Sequence, residues 1–87
     1  MSYELRFSHS AEAYLCRLDR RTQERMAQAL RRIVESPYGH GTKPLTNAAG
    51  FRAARVGSWR LIYLVEEEAK VVRVETIGPR GQVYRDL

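Results

Sequence analysis

The stretch Gly50–Val65 holds two β-rich runs, Phe51-Arg52-Ala53-Ala54-Arg55-Val56 and Trp59-Arg60-Leu61-Ile62-Tyr63-Leu64-Val65, separated only by Gly57-Ser58. A glycine-led dipeptide between two such runs supplies the left-handed backbone of a two-residue hairpin loop. The stretch therefore predicts a tight hairpin, and the rest of the chain must supply cover for its apolar face. Arg60 lies inside the second, buried-type strand. Arginine is almost never fully buried unless paired, so either Arg60 meets a carboxylate or one end of the strand opens onto an anionic ligand.

With 87 residues there is room for one domain, 1–87, burying roughly 60–65% of the surface of the unfolded chain. The formal charge is +5, from 15 Lys+Arg against 10 Asp+Glu, and only Lys43 and Lys70 are lysines. A guanidinium presents a planar fork that matches phosphate, so this balance points to a polyanionic partner. Cys16 stands alone, which excludes an internal disulfide and a Cys-based zinc site and fits a reducing compartment. The N-terminal residues carry no signal-type apolar core, and no apolar run approaches the ~20 residues that span a bilayer. We expect a soluble, cytoplasmic protein with no membrane partner and no cofactor.

The remaining elements follow from periodicity. Tyr3-Glu4-Leu5-Arg6-Phe7 alternates apolar and charged residues as a half-buried strand does. Ser8 and Ser10 offer N-caps to a helix carrying Ala11, Tyr14, Leu15 and Leu18 at i, i+3, i+4, i+7 and ending near Asp19. Asp19 or Thr22 can cap a second helix with Met26, Leu30, Ile33 and Val34 on one stripe and Arg20, Arg21, Arg25, Arg31 and Arg32 on its solvated faces; Pro37 and Gly39 stop it. Tyr38–Gly50 is a loop by its Gly and Pro content. His40, flanked by two glycines, reads as a surface histidine, whereas Lys43 is a candidate phosphate contact. Glu66-Glu67-Glu68-Ala69 makes a polar turn before the strand Lys70–Ile77, with Val72, Val74 and Thr76 on one face, and Gly78-Pro79 breaks that strand. Three adjacent glutamates without a histidine or a convergent loop make no metal site.

The expected fold is α+β: two N-terminal helices packed on one face of a small antiparallel sheet, in the order β-α-α-β-β-β. The other face of that sheet can gather Arg55, Arg60, Arg80 and Tyr84 in one concavity. Such a set suits RNA. Phosphodiester cleavage by the neighbouring 2′-hydroxyl builds negative charge on phosphoryl oxygens and on a leaving alkoxide, and fixed guanidinium groups stabilise it. An aromatic ring such as Tyr84 or Trp59 can stack on a splayed base.

The order and spacing of several pieces resemble the RelE branch of the RelE/ParE toxin superfamily. These are Tyr3-Glu4-Leu5-Arg6-Phe7, the helix end Glu35-Ser36-Pro37, Lys43-Pro44-Leu45, Ala54-Arg55-Val56-Gly57-Ser58-Trp59-Arg60-Leu61-Ile62-Tyr63 and Ile77-Gly78-Pro79-Arg80-Gly81-Gln82-Val83-Tyr84-Arg85. The resemblance covers nearly the whole chain and implies a microbial-ribonuclease-like fold. It implies a metal-independent, ribosome-dependent mRNA interferase of a type II toxin–antitoxin pair. Such a toxin enters the ribosomal A site, cleaves the messenger and is silenced by a cognate antitoxin, through which a hetero-oligomer can bind operator DNA. Carried over by the resemblance, Arg55 contacts the nucleophile, Arg60 stabilises the transition state, Arg80 serves the leaving group and Tyr84 orients substrate. Lys43, Arg52, Trp59 and Arg85 are the expected RNA contacts.

Two positions depart from the family pattern. Ala53 stands where relatives carry a second basic residue two before Arg55, which leaves Arg52 or Lys43 to substitute, and Pro79 stands where many carry His or Lys. Other readings stay open at this point. A ParE-like chain poisons DNA gyrase by binding it, and a noncatalytic module would use the arginines to hold nucleic acid or to pair with Glu66, Glu67, Glu68 and Glu75.

Overall fold

The computed structural model describes residues 2–46 and 48–79. Its elements are β1 (Glu4–Phe7), α1 (His9–Arg17), α2 (Arg20–Glu35), β2 (Thr42–Pro44), β3 (Phe51–Val56), β4 (Trp59–Glu66) and β5 (Val71–Pro79). The strands form one sheet in the order β1-β5-β4-β3-β2. Two helices on a five-stranded sheet make the expected α+β arrangement, with two changes. The sheet is mixed, because β1 runs parallel to β5, and the predicted loop contains an edge strand, β2, antiparallel to β3. A parallel neighbour requires a crossover connection of a dozen or more residues, and the pair α1 and α2 begins that connection as the chain leaves β1.

Both helices start where a side chain caps them. The Ser8 hydroxyl accepts from Ala11 N–H at 3.1 Å and donates to the Glu75 carbonyl at 2.8 Å, so one residue starts α1 and ties it to β5. Asp19, not Thr22, caps α2 by accepting from the Thr22 N–H at 3.2 Å. The Thr22 hydroxyl and this N–H hold the Asp19 carboxyl below its ordinary value. Ala11 of α1 and Met26, Ala29, Leu30 and Ile33 of α2 bury against Ala54, Val56, Leu61, Tyr63, Val72, Val74 and Ile77 of the sheet. Val34 is only partly buried beside this cluster.

Register corrects the face assignment in β5. Ile62 pairs with Thr76 but Tyr63 pairs with Val74, so Glu75 is an extra residue in the ladder. A bulge of this kind resets the alternation. Val72 and Val74 face the helices as expected, Ile77 joins them, and Thr76 turns to the opposite face. Nor does Gly78-Pro79 break the strand, because Arg60 still pairs with Gly78 and Trp59 with Pro79.

The end of the sheet away from Gly57 is closed by a polar knot. Glu67 accepts from Tyr3 Oη at 2.9 Å, from Tyr38 Oη and from Lys70 Nζ at 3.1 Å, joining the N-terminal segment, the α2–β2 connection and the β4–β5 turn. The turn places Lys70 at φ 55°, an uncommon conformation for a branched-free but bulky residue. The hydrogen bonds from Tyr38, Tyr3 and Lys70 lower the Glu67 carboxyl below its ordinary 4.5, and the same contact pushes the Tyr38 phenol up to about 12. A carboxyl with a lowered folded pKa adds stability that is present above its unfolded value and is lost as pH falls through the folded value. Glu67→Gln is therefore expected to lower the urea midpoint at neutral pH. The difference from wild type should shrink as both are titrated below pH 4.5, and a difference independent of pH would show that the carboxylate charge is not what the knot uses.

Candidate functional site

With the helices covering one face, the alternation of β3 and β4 sends Ala53, Arg55, Arg60 and Ile62 to the other. Ala53 and Ile62 form a small second cluster there, with Leu45 and Phe51 packed against it. At the hairpin end, Val56 pairs with Trp59 across Gly57 (φ 61°) and Ser58, which puts Arg55 directly opposite Arg60. Side chains so opposed have β-carbons about 5 Å apart, and like charges there are destabilising. Arg60 is only 7% exposed, whereas Arg55 is open to solvent. On the far side of β4, Arg60 is in register with Gly78, which offers no side chain to crowd its guanidinium.

The edge strand β2 completes the group. Lys43 pairs with Ala53, so its side chain stands on the same face as Arg55 and Arg60, and Ala53 leaves it room. Gly41, Thr42, Lys43, Ala53, Ala54, Arg55 and Arg60 line a concavity of about 320 Å³. These lining residues include no carboxylate. The glutamates of the β4–β5 turn are occupied elsewhere, Glu66 by Arg73 at 3.1 Å and Glu67 by Lys70. Three cations with no carboxylate in the described lining suit an anion whose several oxygens can each accept from a guanidinium or ammonium group, such as a phosphodiester.

The structure thus brings Lys43, Arg55 and Arg60 together, and it separates two other expected RNA contacts from them. Arg52 lies on the helix-side face. It donates to the Pro37 carbonyl at 3.2 Å and the Thr42 hydroxyl at 2.8 Å, and its guanidinium sits 5.1 Å over the Tyr38 ring. Trp59 also turns toward the helices, edge-on to Tyr14 with centroids 6.0 Å apart. Of the two candidates to replace a basic residue at Ala53, Lys43 has the geometry and Arg52 does not. Arg80, Tyr84 and Arg85 lie outside the described residues. Sequence reasoning placed Arg25 on a solvated helix face, whereas it reaches the hairpin tip; its signal was Arg21 at i−4, with the nearby Glu24 taken by Arg20.

A two-layer α+β domain with a cationic concavity on the sheet face opposite its helices is the class that fold and site define. A family model described as the ParE toxin of the type II toxin–antitoxin system parDE matches residues 5–84. The chain belongs to this family and is a toxin of the RelE/ParE superfamily. No curated protein matches it. Among solved structures, it is similar to the intact RelBE toxin–antitoxin complex of E. coli, with 25% identity and TM-score 0.83 over 93% of this chain and 100% of that one. A RelBE complex from Mycobacterium tuberculosis gives 28% identity and TM-score 0.81 over 92% and 100%. The isolated E. coli RelE toxin gives 27% identity and TM-score 0.81 over 98% and 94%.

The Pro37 carbonyl also accepts from the buried Tyr63 hydroxyl at 2.6 Å, so Arg52 shares a structural acceptor that positions β2. Arg52→Ala should cost about 1–2 kcal/mol of stability through lost hydrogen bonds and cation–π contact. Titration with a single-stranded RNA oligonucleotide, done where the variant is fully folded, should give the same curve as wild type; a weaker curve without a stability loss would return Arg52 to the site.

Proposed function

We propose that this toxin stops translation by cutting messenger RNA at the ribosomal A site and that a cognate antitoxin neutralises it. One observation carries the reading: Arg55 and Arg60 are directly opposed, with Lys43 beside them, in a concavity whose described lining has no carboxylate. In the reaction, the 2′-oxygen bonds to the adjacent phosphorus as the bond to the 5′-oxygen breaks. The products are a 2′,3′-cyclic phosphate and a 5′-hydroxyl, with the 2′-hydroxyl proton lost and one gained by the leaving oxygen. Negative charge grows on the non-bridging oxygens between these events. Arg60, held by its burial, faces that charge, and one donor so placed is worth on the order of 3 kcal/mol. Arg55 contacts the nucleophile and Lys43 the neighbouring phosphate. By resemblance, Arg80 serves the leaving group, Tyr84 orients the substrate and Arg85 adds a backbone contact.

Arginine and lysine keep their protons at neutral pH and are poor general bases. Rate must then come from charge stabilisation and from a messenger held in an attack geometry, which the A site supplies. Free RNA should be cut slowly or not at all. A net charge of +5 favours an acidic antitoxin segment by electrostatic steering, and the similar E. coli and M. tuberculosis toxins were solved in toxin–antitoxin complexes. The hetero-oligomer would bind operator DNA through the antitoxin. Action on ribosomes places the protein in the cytoplasm. The matched family description, ParE toxin, favours a second reading in which the chain inhibits DNA gyrase by binding it.

In a purified translation system, primer extension should reveal new messenger 5′ ends only on translated messenger. Arg60→Ala should reduce their rate of appearance about 10²–10³-fold. Intact messenger together with blocked supercoiling by gyrase would assign the toxin to the second reading.

A further inference from the structure

Resting on the RNA reading above, we propose that the hairpin tip and the first half of α2 form a second phosphate-binding subsite, centred on Arg25 and Arg55, for RNA flanking the scissile bond. Gly57 is its hinge. Arg55 Nε donates to the Gly57 carbonyl at 3.5 Å. From the helix layer, Arg25 Nη1 lies 3.4 Å from where a β-carbon on Gly57 would sit. Two guanidinium groups from different elements therefore converge on one exposed turn residue.

What distinguishes this cluster from a solvated helix face is its meeting of two layers at one turn. Arg6, Arg20 and Lys70 have carboxylates at 2.6, 3.8 and 3.1 Å, whereas among the described residues the exposed Arg17, Arg31, Arg32 and Lys43 have no ion pair and the structure records no contact with that turn for them. Among the described residues, Arg21, Arg25 and Arg55 form no ion pair. Arg21 lies one turn before Arg25 on α2, a like-charge i, i+4 spacing that weakens an isolated helix. Two guanidinium groups meeting at one turn, with Arg21 one helical turn behind, suit an external polyanion, whose phosphates each take a planar fork. Arg55 belongs to both sites. A strand seated in the concavity at Lys43, Arg55 and Arg60 leaves it at the hairpin tip, where Arg25 and then Arg21 meet its next phosphates.

The test is salt-dependent binding of an uncleavable 2′-O-methyl RNA of about twelve nucleotides to the full-length protein, followed by fluorescence anisotropy. For single strands, log Kobs falls with log salt at a slope of about −0.7 per phosphate neutralised. Arg25→Ala should flatten the slope by roughly 0.7, Arg25→Lys should restore it, and Arg6→Ala, at the opposite end of the sheet, should leave it unchanged. With a 2′-O-methyl dinucleotide, which spans only the concavity, Arg25→Ala should bind as wild type does. Long-RNA binding that depends on Arg60 but not on Arg25 would overturn the subsite alone. Failure of wild type to bind either RNA would remove the RNA reading and the subsite together.

Discussion

The structure depends on one tight turn. A two-residue loop at Gly57-Ser58 forces Arg55 to face Arg60 across an antiparallel ladder, a like-charge juxtaposition that by itself opposes folding and that other contacts of the fold must offset. The geometry of the tight hairpin leaves no freedom to separate them, because moving the register by one residue would send every side chain of β3 and β4 to the wrong face. The apolar side of the hairpin, Ala54, Val56, Leu61 and Tyr63, is committed to the helices. The charged pair is thus fixed on the side opposite the helices by the same burial that stabilises the fold.

The other elements serve that arrangement. The helices take one face and leave the other for a ligand. The knot at Pro37, where Tyr63 and Arg52 donate to one carbonyl, positions the short strand that brings Lys43 alongside Ala53. Positive charge is also unevenly spread along β4. Arg25, Arg55 and Arg60 stand at the Gly57 end, while at the other Glu4, Glu66 and Glu67 are paired with Arg6, Arg73 and Lys70. An excess of positive charge at one end turns that end toward a polyanion as the two approach.

Much of this was legible in the sequence because it depends on local pattern. The Gly57-Ser58 hairpin, the caps at Ser8 and Asp19 and the helical stripe through Met26 and Leu30 are all decided within a few residues. What was not legible depends on partners distant in the chain. The parallel pairing of β1 is chosen by where the helices return the chain, and Thr42–Pro44 becomes a strand only because β3 offers an edge. The extra residue at Glu75, anchored by Ser8, leaves the alternation of β5 ambiguous from sequence. Arg52 and Trp59 were grouped with Arg55 and Arg60 by proximity in sequence, yet period-2 alternation places them on the opposite face. Lys43 joined the site through the pairing of β2 that its Gly- and Pro-rich surroundings concealed.

That Arg55 is held for a ligand and not for the fold is tested most directly by equilibrium urea unfolding of Arg55→Thr beside wild type at low and high salt. The variant is expected to be at least as stable as wild type at low salt. Relief of a cross-strand like-charge contact is worth about 0.2–1 kcal/mol, and the gain should fade as salt screens the pair. A variant destabilised by more than about 1 kcal/mol at both salt concentrations would contradict it, because a loss of that size is the signature of a broken structural interaction.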